Sequence, residues 1–182
     1  MHTLNRLHVR GYTAVQLLIV MAAVAIFASI ALPGFRATFE RQQVAASLHQ
    51  LTAHLAMARN AAVTRRQPVS ACPSKDGVSC RQDQDWSDGW ILFEDRERTG
   101  TPTGPAAILR AEQRTSASKP IIKTSIGRAV IRFLPDGRSR GTNATISLCA
   151  GARRLADVVV NNAGRTRTLR YRDPPPCPHP NG

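Results

Sequence analysis

No residue between Arg10 and Arg36 carries a charge, and the run AVQLLIVMAAVAIFASIAL inside that stretch is almost wholly apolar. No two cysteines stand in a CxxC pair, which excludes thioredoxin-type redox chemistry and argues against a structural zinc. GxSxG, HExxH and a phosphate-binding GxxxxGK[ST] loop are all missing, so the usual serine-hydrolase, zinc-protease and nucleotide-hydrolase constellations have no basis here. Aromatic residues make up only 5% of the chain, too few for a surface built on base stacking. Acidic residues are scarce over 105–172: Glu112, Asp136 and Asp157 face 14 basic residues, so that segment carries 14 − 3 = +11 of the total +13. An excess of one sign confined to one half of a domain favours a polyanionic partner, the alternative being a solvated surface.

The apolar run is long enough to span a bilayer as a helix. Arg6 and Arg10 ahead of it hold the short leader in the cytoplasm and send the remainder outward. Ala28-Ser29-Ile30-Ala31 also fits the small-residue cleavage site of an ordinary secretory signal. Beyond Phe35, Val44, Leu48, Leu51, Leu55 and Ala58 recur at three- and four-residue steps, as an amphipathic helix requires. Pro68 disfavours helix in the residue before it and ends the pattern near Arg66. Pro33 lies inside the helix, where it removes one backbone hydrogen bond and introduces a kink. After Pro68, PVSAC, GWILFED, AAILRAE, PIIKTSI, AVIRFLPDG, TISLCAG, LADVVVNN and TRTLRYR alternate with Gly, Pro, Asp and Ser turns, which predicts short antiparallel strands. The expected class is α+β.

The cysteines, Cys72, Cys80, Cys149 and Cys177, read as two disulfides in an exported protein, Cys72–Cys80 closing a turn-rich loop and Cys149–Cys177 pinning the proline-rich tail. In a cytosolic chain they would be reduced thiols. His49 and His54, five apart on the helix, do not share a face and read as surface or packing residues, not metal ligands. Asp83, Asp85, Asp88, Glu94, Asp95 and Glu97 form an acidic cluster interleaved with Trp86 and Trp90, better read as a turn and strand than as a metal-dependent nuclease site. No cofactor, metal or catalytic residue is expected.

A basic leader ending at Gly11, then Tyr12-Thr13 and the apolar run, resembles a class III prepilin signal. The blocks ARNAAVTRRQPVSAC (58–72), WSDGWILFED (86–95), IRFLPDGR (131–138), ISLC (146–149) and VVVNNAGRTR (158–167) resemble, in order, those of the FimT/GspH family of minor pilins and pseudopilins. The resemblance implies a type IV pilin fold, with cleavage between Gly11 and Tyr12 by a prepilin peptidase and methylation of Tyr12. The implied parts are a leader (1–11), a transmembrane and filament-core helix (12–35), an amphipathic second half (36–66), a β-rich domain (67–172) and a tail (173–182). It also implies an inner-membrane anchor with a periplasmic domain before assembly, and other pilins as partners in a surface pilus. Gln16 departs from the glutamate usual at the fifth mature position, which suggests weaker assembly or a special filament position such as the tip.

Gly164-Arg165-Thr166-Arg167 matches the GRxR motif that resembles the DNA contact of FimT-like proteins; a short motif of this kind also occurs as an ordinary turn. In an extended segment Arg165 and Arg167 point to one side, each with a forked donor suited to phosphate, and Gly164 supplies a turn other residues resist. Arg170 and Arg172 are read as continuing the same alternation. Lys119, Lys123, Arg128, Arg153 and Arg154 are further candidate DNA contacts, with Arg138 and Arg140 beside them. The expected function is that of a minor pilin binding the DNA backbone with little sequence preference during natural transformation. The alternative is a structural minor pilin or type II secretion pseudopilin without DNA binding.

Overall fold

A computed structural model describes residues 13–115, 119–141 and 143–178, with the side chains of 30–33 left aside. The expected cleavage at Gly11 and the methylation of Tyr12 fall outside the described residues, as does the side chain of Pro33. Two compact units divide between Phe39 and Glu40; helix α1 (Ala14–Arg65) supplies residues to both.

In the first unit the helix starts at Thr13. Thr13 N donates to Gln16 Oε1 at 3.0 Å and Gln16 N donates to Thr13 Oγ1 at 3.4 Å, a reciprocal capping box that satisfies two otherwise orphaned amides. Gln16 therefore has a local task, the closing of its own helix end. Val15 through Phe27 leave their large apolar side chains exposed. No single helix among the described residues is long and apolar enough to cross a membrane; the stretch qualifies only when Ala14–Ser29 and Gly34–Arg65 are taken together.

The second unit holds the core. Val44, Leu48, Leu51, Leu55, Ala58 and Ala62 form the buried stripe of α1, five of them the residues expected from periodicity. The helix closes as a Schellman turn: Gln67 N donates to Ala62 O and Arg66 N to Val63 O, with Arg66 left-handed at φ 54 where glycine is usual. All eight expected strands are present: β1 (Val69–Pro73), β2 (Gly89–Glu94), β3 (Ile108–Gln113), β4 (Ile121–Thr124), β5 (Ile131–Phe133), β6 (Ala144–Ala150), β7 (Arg153–Val160) and β8 (Thr166–Arg170). They build two four-stranded antiparallel sheets, ordered β3-β2-β1-β5 and β4-β6-β7-β8. The buried face of α1 shares one hydrophobic cluster with Val69, Ala71, Trp90 and Phe133 of the first sheet and Ile146, Leu148, Val158 and Val160 of the second. Both disulfides join the expected cysteines, Cys72–Cys80 and Cys149–Cys177.

Candidate nucleic-acid interface

β7 and β8 are joined by the turn Asn161-Asn162-Ala163-Gly164, and this turn fixes the motif. Gly164 N donates to Asn161 O at 2.8 Å, Arg165 N donates to Asn161 Oδ1 at 2.9 Å, and Gly164 is left-handed at φ +71. A second constraint was invisible in the sequence: a Cβ on Gly164 would lie 2.0 Å from the carbonyl oxygen of Gly137. That same oxygen accepts a hydrogen bond from Arg59 Nε at 2.9 Å, and Ser139 N donates to Asn162 O at 3.0 Å. The Leu134–Gly141 loop, the 161–164 turn and the last turns of α1 are thus interlocked. In sequence Arg59 is one basic residue among others on the helix; only the fold shows it holding two turns together.

The interlock gathers four arginines at one end of the second unit. Arg138 and Arg140 sit on the Leu134–Gly141 loop and, with Asp136 and Asn162, line a cleft of about 220 Å³. Arg165 and Arg167 follow the turn. All four are exposed, and among the described residues none forms an ion pair with a carboxylate. Arg128 braces the loop from behind, its Nη1 donating to Arg140 O at 2.8 Å and its Nη2 to Ser139 Oγ at 3.4 Å; burial lowers its pKa from the ordinary arginine value. It positions the cluster more than it faces a ligand.

The alternation expected to run from Arg165 to Arg172 does not hold. β8 pairs with β7 without a register break, Arg167 opposite Val159 and Arg170 opposite Ala156. Side chains change face at every residue, so Arg167 lies on one face of β8 and Arg170 on the other, with Arg165 just ahead of the strand. Ala156, Val158 and Val160 belong to the core cluster that includes α1. Arg170 accordingly turns toward the helix, its Nη2 3.0 Å from His49 Nε2. Arg172 is exposed beyond the end of β8, beside Asp173.

The remaining candidates stand apart from the cluster. Lys119 pairs with Asp88. Lys123 lies on β4, the opposite edge of the sheet from β8, roughly 14 Å away at three strand spacings. Arg153 and Arg154 open β7, about 20 Å along the strand from the partner of Arg167. Arg153 Nη2 is 3.7 Å from Glu40 Oε2, while Arg154 approaches Asp157 at 3.9 Å and stacks over Tyr171 at 5.2 Å.

Four of the six acidic residues, Asp83, Asp88, Glu94 and Asp95, are absorbed in the same way. Asp83 and Asp88 both pair with Arg81, and hydrogen bonds from Arg81 and Lys119 respectively hold their carboxyls below the usual range. Glu94 pairs with Arg65 and Arg96, and the buried Asp95 accepts from Ser70 Oγ and Arg132 Nε, each at 2.7 Å. No group of three or more His, Cys, Asp or Glu among the described residues is arranged to hold a metal. His54 packs on Trp90 and accepts from its Nε1 at 2.9 Å, as a packing residue would.

A long helix laid on two antiparallel sheets defines a pilin-type fold. The chain belongs to the GspH family: the family model described as type II transport protein GspH matches residues 47–164. The fold is shared with the type IV minor pilin FimU of Pseudomonas aeruginosa strain PAO1 in two crystal forms. One is 23% identical, with a TM-score of 0.58, covering 75% of this chain and 95% of that one. The other is 22% identical, with a TM-score of 0.53, covering 70% and 93%. No curated protein sequence matches the chain. The family and the fold are those of structural pilins and pseudopilins rather than of enzymes.

Proposed function

We propose that this chain is a minor pilin of the FimT type that binds extracellular DNA through its phosphate backbone and supports DNA uptake in natural transformation. The observation behind this reading is the sorting of the basic residues. Arg138, Arg140, Arg165 and Arg167 are exposed, share one end of the fold and lack carboxylate partners among the described residues, whereas Lys119, Arg132, Arg153 and Arg154 are paired. Guanidiniums without partners are available to phosphate oxygens, which they bind through forked donors. Phosphate contacts carry affinity without sequence information. In this reading the chain is cut after Gly11, methylated at Tyr12, anchored in the inner membrane with its domain in the periplasm and then moved into the pilus.

The test is a titration of the full-length chain, in neutral detergent, with duplex DNA at several salt concentrations. Four neutralised phosphates give a slope of log K against log salt near −3.6, and Arg165→Gln/Arg167→Gln halves it to about −1.8. A flat salt response, or a double variant that binds like the wild type, refutes the reading. Lys119→Gln and Arg153→Gln serve as controls that leave the slope in place. The family match itself favours a second reading, a subunit that only helps build a filament. Deleting the gene then abolishes pili, whereas a DNA receptor leaves pili intact and uptake lost.

A further inference from the structure

β8 is the last strand of its sheet, and antiparallel pairing gives each of its amides a direction. Asn161 N donates to Arg165 O at 3.1 Å and Tyr171 N donates to Leu155 O at 3.0 Å. Residues that exchange hydrogen bonds with the neighbouring strand alternate with residues that do not. Arg165, Arg167, Leu169 and Tyr171 therefore point their amides at β7. Thr166, Thr168 and Arg170 point theirs away from it, to the open edge. The described part of the C-terminal tail leaves that edge clear, since its backbone bonds, Arg154 N to Pro175 O and Cys177 N to Ala152 O, lie at the start of β7, past the end of β8. Residues 167–170 are exposed throughout.

An open edge normally attracts another strand, and charged side chains along it are the usual deterrent. Arg165, Arg167 and Arg170 provide that deterrent here, and the same guanidiniums attract phosphate. Backbone N–H groups are regular phosphate donors in nucleic-acid complexes. We infer that the outward amides of Thr166 and Thr168 are further phosphate contacts, acting with Arg165 and Arg167 on the same DNA strand. The two amides stand about 6.8 Å apart, two residues along an extended strand, so they address separate points on a nucleic-acid backbone. This inference rests on the DNA-binding reading above.

The two kinds of donor leave different signatures. Losing an arginine removes a charge and shallows the salt slope by about 0.9. Losing an outward amide removes a neutral donor, so affinity falls at an unchanged slope. Thr168→Pro is the direct variant, because proline is tolerated on an edge strand where the N–H faces solvent. In the full-length chain in neutral detergent, with a short mixed-sequence DNA duplex, it is expected to bind roughly tenfold more weakly with the slope intact. A second measurement needs no variant: amide exchange at Thr166 and Thr168, rapid in the free protein, slows when the duplex is added. Wild-type affinity in a folded Thr168→Pro chain overturns the inference, and so does exchange at both amides that DNA leaves unchanged; in either case salt-sensitive binding by the wild type leaves the arginine reading standing. Protection that rises with protein concentration in the absence of DNA overturns it too, since a second copy of the chain then occupies the edge. A wild type that does not bind the duplex removes both readings together.

Discussion

Replacing Gly164 with alanine separates two costs that the sequence motif merges into one. The first is conformational: at φ +71 an L-residue pays about 1–2 kcal/mol for the left-handed region. The second is steric, because the new methyl would stand 2.0 Å from Gly137 O and 3.1 Å from Gly137 C. Both atoms are backbone, and the oxygen is already held by Arg59, so neither moves without loosening the interlock. Overpacking of this kind adds about 1–3 kcal/mol. The sum is about 3 kcal/mol, a fall in Tm of roughly 10 °C for a domain of this size. Gly151 provides the internal standard, since it is also left-handed at φ +56 but has nothing within 4 Å of its missing Cβ. Gly151→Ala should therefore cost only about 1 kcal/mol, or roughly 3 °C. Thermal denaturation of the two variants side by side, followed by circular dichroism, measures the difference. Equal losses would refute the steric argument and reduce the glycine of the motif to a turn requirement.

Two further outcomes follow from other parts of the second unit. Removing Cys149–Cys177, whose cysteines are 28 residues apart, is expected to cost about 3.6 kcal/mol, against about 2.5 kcal/mol for Cys72–Cys80 at a separation of 8, by the loop-entropy relation; urea titration of the two Cys→Ser pairs checks the order. Burial lowers the pKa of His54 below its ordinary 6.5, with Glu112 opposing and Arg110 assisting. The unfolded chain then binds the extra proton first, so stability is full above about pH 6.5 and is lost as pH falls from there toward the folded value. Melting curves between pH 7.5 and 5 should show this slope in the wild type and a flatter one in His54→Gln.

The fold was legible because it rests on period and punctuation. Val44, Leu48, Leu51, Leu55 and Ala58 announced the buried face of the helix, and eight short apolar runs between turn residues became eight strands. Their division into two sheets depends on which strands meet across long sequence separations, such as β1 with β5, and no local signal carries that. In sequence, Arg165 and Arg167 read as a pair because two residues along an extended segment share a face. The same rule, applied with the right parity, puts Arg170 on the other side of β8, where it meets His49. Arg59 and Gly137 were not readable, since the oxygen that binds one and crowds Gly164 comes from a turn 27 residues away. Gln16 showed in sequence only as a missing carboxylate, yet its amide oxygen caps the helix from Thr13. A glutamate could cap equally well, so what the substitution removes is charge rather than the cap.

Net charge was the weakest of the sequence signals taken alone, and the reason is physical. An arginine beside a carboxylate already has most of the interaction a phosphate would offer, and drawing it away would leave the carboxylate behind without a partner. The +11 of residues 105–172 therefore overstates what a polyanion meets. Arg132 is committed to the buried Asp95 and Lys119 to Asp88, while Arg153 and Arg154 approach Glu40 and Asp157 more loosely, at 3.7 and 3.9 Å. With those set aside, Arg138, Arg140, Arg165 and Arg167 outnumber the neighbouring Asp136 at one end of the second unit, a local field of net positive sign. A local field with one sign is what orients a charged polymer, whereas charge spread over both edges and both ends of a sheet mainly keeps the protein soluble. The commitment of each cation to its own acid is therefore a better guide to a polyanion-binding face than any count of basic residues.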